Sequence, residues 1–239
     1  MLIHIRARPE DVAERVIIVG DPARAEQLAQ LLNNARLVNE NRGLISYTGY
    51  YGETKITIAT HGIGAPSAAI AIEELIQVGA KIIIRLGTTG AVREEIGLGD
   101  VVIPTGAAYN AGGIYAQYLG TSIIYPAIPN HAILTELIQN ITKTNIKTWI
   151  GPIYSSDAFY AEENITNTLS TRGILSIEME TAILYLLGLV RGVKTGAVLI
   201  VSNNLTQGRD SKYLTAEELK PIVEKIGRAV INALTNVKP

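Results

Sequence analysis

The fold reads outward from Lys81-Ile82-Ile83-Ile84-Arg85-Leu86-Gly87-Thr88-Thr89-Gly90-Ala91. Ile82, Ile83 and Ile84 form a β-branched run of the kind that fills a buried parallel strand. A charge, Arg85, arrives where such a run should end, and Gly87-Thr88-Thr89-Gly90 reads as a turn beyond it. In an open parallel sheet, ligands gather outside the carboxyl ends of the strands. A guanidinium there, beside backbone N–H groups and hydroxyls, suits an anion such as phosphate. Taken alone, the stretch fits a tight turn with an exposed arginine equally well.

Other strand ends repeat the arrangement. Residues 16–19 predict a strand running into Gly20-Asp21-Pro22 and a helix over residues 23–32, capped by Asp21 and started by Pro22. Arg24 in the first turn opposes the helix dipole, a conflict that a bound anion relieves. Asn41-Arg42-Gly43 reads as a turn, and residues 44–51 and 55–60 as a hairpin. Thr60-His61-Gly62-Ile63-Gly64-Ala65-Pro66-Ser67 is a second glycine junction, opening a helix over residues 67–78. Pro66 falls inside what would be a GxGxxG, and no Gly-Lys-Ser/Thr follows. Dinucleotide and triphosphate loops are therefore poorly supported.

Further on, the pattern predicts strands over residues 100–104, 149–154 and 174–177, a glycine-rich loop over 106–120 and a helix over 129–141. Phe159, the single phenylalanine, either packs in the core or stacks on a flat ligand. Glu178-Met179-Glu180 opens a helix to about residue 189, and one of its acids can hold a sugar diol or simply begin an acidic helix. The last core strand, 195–201, ends in Ser202-Asn203-Asn204, and Thr215-Ala216-Glu217-Glu218 is a capping box opening a helix to about residue 236. Strands alternate with helices without repeat or linker. That predicts one α/β domain over residues 1–239 with a largely parallel, doubly wound sheet.

Composition narrows the classes. Net charge is −1 over 239 residues and the sequence pI is about 6.3, which gives no electrostatic case for nucleic acid or an anionic membrane. No apolar run reaches bilayer length, and no leader pattern opens the chain, so a cytoplasmic location is expected. Only 18% of residues are charged and mean hydropathy is +0.22, which points to apolar surface buried between subunits. Cysteine is absent, and His4, His61 and His131 are too scattered to suggest a metal site.

Arg24, Arg42 and Arg85 for an anion, Glu180 for a diol and Phe159 for a base together spell a nucleoside with phosphate. The order and wording of the motifs resemble the purine nucleoside/uridine phosphorylase family of the hexameric type, nearest to its archaeal purine nucleoside and 5′-methylthioadenosine phosphorylases. The segment from Thr60 to Ile70, continued to Glu74-Leu75, matches that family's signature. Gly20-Asp21-Pro22-Ala23-Arg24, Asn41-Arg42-Gly43, Arg85 to Ala91, Ser155 to Tyr160 and Glu178-Met179-Glu180 follow in family order.

The resemblance implies a single-domain nucleoside phosphorylase fold, a mixed, mostly parallel central sheet flanked by helices. It implies phosphate bound by Gly20, Arg24, Arg42, Arg85 and Thr88, and ribose by His4, Met179 and Glu180. Phe159, Ile177, Glu178, Ser202 and Asn203 would meet the base, with Asn203 and Arg85 catalytic. No cofactor or metal is implied, since inorganic phosphate is a co-substrate. The implied assembly is a homo-hexamer, a trimer of dimers in which Arg42 and His4 reach a neighbour's site.

The chain departs from the pattern at Asn203, where hexameric purine phosphorylases carry an Asp that protonates the purine N7. An amide donates a hydrogen bond but delivers no proton, and general acid catalysis is typically worth roughly 10²–10⁴-fold. The supporting Arg has no clear match; Glu218 lies near its place and Arg209 is the possible substitute. Uridine phosphorylases carry Gln and Arg where this chain has Glu163 and Ile165, so the uracil reader looks absent. The tilt is towards 6-oxopurine nucleosides. Uridine phosphorolysis and a catalytically weak nucleoside-binding protein stand as alternatives, and a water-using nucleosidase is disfavoured by the three arginines. Asn203→Asp is expected to raise turnover on adenosine; unchanged or lower turnover in a base-release assay overturns this reading of Asn203.

Overall fold

The isoleucine run does not stop at Arg85. The computed structural model describes residues 2–239, apart from the side chains of residues 162–164 and 209–210, so Glu163 and Arg209 lie outside the described residues. Its strands are β1 (Arg15–Val19), β2 (Asn33–Asn39), β3 (Ser46–Tyr51), β4 (Thr54–Thr60), β5 (Ile82–Ala91), β6 (Val101–Ala108), β7 (Thr148–Ser155), β8 (Ser176–Glu178) and β9 (Lys194–Asn204). Its helices are α1 (Pro22–Ala29), α2 (Ala65–Gln77), α3 (Gly113–Leu119), α4 (His131–Thr142), α5 (Thr166–Thr171), α6 (Thr181–Arg191) and α7 (Ala216–Asn236).

Among the described residues the strands form one mixed sheet in the order β2-β3-β4-β1-β5-β8-β7-β6-β9, with β9 also paired to β5. The last five strands therefore close on themselves, and the sheet is not the open, doubly wound one expected. Pairing is parallel for β1–β4, β1–β5, β5–β9, β6–β7 and β7–β8. It is antiparallel for β2–β3, β3–β4, β5–β8 and β6–β9. The expected turn at Gly87-Thr88-Thr89-Gly90 is strand instead, because β9 runs beside it from Ile82↔Lys194 to Ala91↔Asn204 and supplies its ladder partners. The same pairing draws Ser202-Asn203-Asn204 into the strand.

The 106–120 loop is shorter than expected: β6 persists to Ala108 and α3 follows. Helix α1 ends at Ala29, before a strand, β2, that sequence reading missed. The other caps hold as expected. Asp21 accepts from the Ala23 N–H, and Thr215 and Glu218 form the reciprocal capping box of α7.

Side-chain alternation sorts the core into two layers. Val16, Ile18, Ala59, Ile83, Leu199 and Val201 pack with α2 and α6. Ile17, Val19, Ile58, Ile82, Ile84 and Ile200 pack with α1, α4 and α7. Arg85 takes the parity of Ile83, so it projects to the α2/α6 side rather than off the end of a strand. Among the described residues, no helix is long and apolar enough to cross a membrane.

The N-terminal arm is tied to α2 by one carboxylate. Glu74 accepts from the N–H groups of Ile3, His4 and Ile5, and its Oε1 lies 2.8 Å from His4 Nδ1. Asn41 Nδ2 donates to the carbonyls of Ile3 and His4, joining the arm to the Arg42 turn. Burial pushes the Glu74 pKa up, but the Ile5 N–H, the His4 ring and the other arm amides outweigh it, leaving it below the ordinary value of 4.5. A depressed carboxylate stabilises above its unfolded pKa and loses that contribution as pH falls through its folded value. Amide protection at residues 3–5 should therefore persist to below pH 4.5 and then collapse ahead of the core. In Glu74→Gln, hydrogen exchange should show weak protection that no longer varies over that window.

Candidate functional site

Arg85 is only 4% exposed, and a buried guanidinium must be compensated where it stands. Its Nε donates to Glu178 Oε2 at 3.1 Å, its Nη2 donates to Glu180 Oε2 at 2.5 Å, and its Nη1 lies 2.8 Å from His61 Nε2. Burial opposes the charged form, but Glu180 and Glu178 more than reverse that, and the Arg85 pKa is raised. A guanidinium carries five N–H bonds. One contact per nitrogen leaves a further N–H on each terminal nitrogen. Gly87, two residues on and on the same face, makes the room: a Cβ there would stand 2.6 Å from Arg85 Cζ.

The two carboxylates differ. Glu178 accepts from Arg85, from Ser155 Oγ and from the N–H groups of Glu180 and Thr181, so its carboxylate is spent on holding the start of α6. The expected contact of Glu178 with a base is thus not left to its carboxylate. Glu180 takes one N–H on each oxygen, Gly64 on Oε1 at 2.6 Å and Arg85 on Oε2, so each oxygen keeps a lone pair for a sugar hydroxyl. Burial, first, and then the neighbouring Glu178 raise the Glu180 pKa against the pull of Arg85.

These groups border a cavity of about 770 Å³. Of the expected site residues, Gly20, Arg24, Arg85, Thr88, Phe159, Ile177, Glu178, Met179, Glu180, Ser202 and Asn203 all line it. The Arg24 pKa is lowered by burial and then by the charge of Arg85, as expected of two cations facing one space. Phe159 is 48% exposed, with its ring edge-on to Tyr160 at 5.2 Å between centroids. Asn203 is buried, and Ser202 Oγ lies 3.3 Å from its Oδ1, which leaves the NH₂ half as the donor for a ligand. Gly90 keeps that place open, since a Cβ there would stand 3.1 Å from Asn203 Oδ1.

His4 and Arg42 do not line the cavity. They lie together instead, joined through Asn41, with Arg42 exposed on a turn at φ 58°. Sequence reasoning did not place Asp21, Pro22, Gly62, Ile63, Tyr160, Leu205, Tyr213 and Leu219 in the lining, and it offered Thr89 and Gly90 only as part of an anion-binding turn. Gly62 and Ile63 carried a signal in the glycine junction, whereas Tyr213 and Leu219 arrive only through long-range packing. His61 was read as one of three scattered histidines, and its contact with Arg85 had no local signature.

Among the described residues, a nine-stranded mixed sheet sets two arginines and a carboxylate with open lone pairs around a shared cavity, the layout of an α/β protein whose site chemistry suits an anion beside a hydroxylated group. The chain belongs to the phosphorylase superfamily, whose pattern matches residues 14–237. It is 38% identical to guanosine phosphorylase of Halorubrum lacusprofundi over 237 residues, covering 97% of each chain. It is 36% identical to a DeoD-type purine nucleoside phosphorylase of Roseobacter denitrificans, covering 87% of this chain and 89% of that one. The solved structure of uridine phosphorylase from Vibrio fischeri ES114 superposes with a TM-score of 0.85 at 32% identity, covering 98% of this chain and 95% of that one.

Gly87→Ala tests whether Arg85 is an anion ligand. The added methyl pushes the guanidinium off its partners, and phosphate affinity by titration calorimetry should fall by about tenfold or more, one charge-assisted contact being worth that much. Unchanged affinity with an intact fold would remove Arg85 from the anion site.

Proposed function

We propose that this chain is a purine nucleoside phosphorylase, a pentosyl-transferring enzyme that splits purine ribonucleosides with inorganic phosphate into free base and ribose 1-phosphate. The observation that carries the reading is the placement of Arg24 and Arg85 in one cavity with the open lone pairs of Glu180 and the half-exposed ring of Phe159. Membership of the superfamily and the names of its purine-acting relatives point the same way.

In this reading phosphate lies over Gly20 and Thr88, held by Arg24 and Arg85. A phosphate oxygen attacks C1′ as the C1′–N bond breaks and the base leaves with the electron pair. The arginines hold the anion in line, and its charge offsets the positive sugar of an oxocarbenium-like transition state. Glu180 and Met179 fix the ribose, and Phe159 and Ile177 flank the base. Asn203 donates its NH₂ to the leaving base, which favours 6-oxopurines, whose ring system already disperses negative charge. His4 and Arg42 serve the site of a neighbouring copy in a homo-oligomer, probed by light scattering.

A uridine-cleaving reading has the Vibrio fischeri structure and a 35% identical uridine phosphorylase of Treponema pallidum in its favour. Against it, Ile165, at one place where a uracil reader is expected, packs on the small apolar cluster of Val92, Tyr154, Ile174 and Ile177.

The test is base release from inosine, guanosine, adenosine, methylthioadenosine and uridine, with and without phosphate. Phosphate-dependent release, fastest from guanosine or inosine, is expected. Release without phosphate would make the protein a hydrolase, and uridine as the best substrate would move it to the pyrimidine branch.

A further inference from the structure

His61 has no part in the functions assigned above, yet it is fully buried against the buried guanidinium of Arg85. Its backbone N–H donates to the Val19 carbonyl at 2.9 Å, carrying the β1–β4 ladder one step past β4. Its carbonyl accepts from Ser67 Oγ at 2.7 Å. Those two bonds fix the main chain, so the ring has little freedom. One side of the ring meets Arg85 Nη1 at 2.8 Å, and Cε1 lies 3.6 Å from where a Cβ on Gly20 would stand. The imidazole is thus wedged between the Gly20 turn and Arg85, behind the cavity wall rather than in it.

Its protonation state follows from its partner. A guanidinium only donates, so Nε2 must accept, and the ring is neutral with its proton on Nδ1. Burial and the charge of Arg85 both disfavour imidazolium here. Nδ1 is buried and has no hydrogen-bond partner among the described residues. Leaving a buried donor unmade is costly, so this arrangement is held for what Nε2 does.

We propose that His61 is a positioning residue: a neutral acceptor that fixes the third corner of the Arg85 guanidinium and sets it against the Gly20 turn, so that its remaining N–H bonds face the anion. Glu178 and Glu180 anchor two of the three nitrogens, and Glu180 is the carboxylate proposed to hold the sugar. Without a third contact the fork can swing towards them. A third carboxylate would hold Arg85 as firmly, but two carboxylates already outnumber the one guanidinium, and a third would deepen that negative charge and repel phosphate. An imidazole holds it without adding charge. This rests on Arg85 being a phosphate ligand, as proposed above.

The test compares steady-state kinetics of His61→Leu, which fills the space without an acceptor, with His61→Gln, whose side-chain amide oxygen takes the place of Nε2. Both are measured alone and with Arg85→Lys, which keeps the charge and loses the fork. In phosphate-dependent guanosine cleavage, His61→Leu should raise the phosphate KM about tenfold while the guanosine KM moves by less than about threefold. His61→Gln should restore the phosphate KM to within about threefold of the parent. In the Arg85→Lys background, His61→Leu should add little, as expected of groups acting through one contact. Equal damage from Leu and Gln, equal rises in both KM values, or full additivity with Arg85→Lys overturns the proposal. A normal phosphate KM in His61→Leu overturns it as well while Arg85→Lys remains impaired. If Arg85→Lys itself leaves the phosphate KM unchanged, the phosphate role of Arg85 fails and His61 loses its role with it. Should the leucine variant not fold, His61→Ala replaces it in every comparison.

Discussion

The site depends on the cost of burying Arg85. Removing one partner from a buried ion pair typically costs about 3–5 kcal/mol, so a guanidinium inside the sheet dictates what surrounds it. Glu178 must arrive from β8, Glu180 from the N-cap of α6 and His61 from one step past β4. The end of β4, β5 and the β8–α6 junction are far apart in sequence, and the sheet order brings them together. β8 makes only two pairings with β5, Gly90↔Ile177 and Ala91↔Ser176, yet they put Glu178 one step beyond, within reach of Arg85 Nε. A slip of one residue would turn Glu178 to the other face. Electrostatics and strand register therefore enforce one another.

Sharing a guanidinium also links the two halves of the cavity. Glu180 holds Arg85 with one oxygen and Gly64 with the other, so any ligand that pulled on its carboxylate would load the Arg85 fork as well. Gly64 is the cap of α2 at φ 84°, which ties the cluster to that helix. Arg24 is under no such constraint: it lies on the first turn of α1, near the cavity and depressed by the charge of Arg85. One arginine is fixed by three partners and shared; the other stands on the first turn of α1 and feels the charges of Asp21 and Arg85. An anion between them offsets a repulsion already present in the fold.

Much of this was legible from residue order. Alternating apolar runs, the Asp21 cap and the capping box at Thr215 depend on neighbours a few residues away, and each was read correctly. The turn at Gly87-Thr88-Thr89-Gly90 was misread because glycine and threonine carry turn signals, while the partner that makes them strand, β9, lies over a hundred residues on. Ring closure rests on just two β6–β9 pairings, Val101↔Ile200 and Val102↔Leu199, for which local pattern holds no information. Gly87 and Gly90 look alike in sequence, but one clears a guanidinium and the other an amide. Eleven of the expected residues share one cavity, but their wiring was not legible: a lone histidine in a glycine junction says nothing of an arginine on another strand.

Asn203 shows how the cavity divides its work under the proposed reading. The attacking side is built from charges that burial and pairing hold in place, and its action does not need a proton to move. The leaving side is neutral: an amide fixed by Ser202 and given room by Gly90, with apolar Leu205 and Ile177 nearby. A neutral donor in a poorly solvated place strengthens its bond to a base as negative charge grows there. It cannot remove that charge, so rate must depend on how well the base carries charge itself. A ring with a 6-oxo group spreads it onto oxygen; a 6-amino ring has to be protonated to leave as easily. Substrate choice at this site is then set by what the leaving side lacks, and an amide lined up by a hydroxyl is enough to express it.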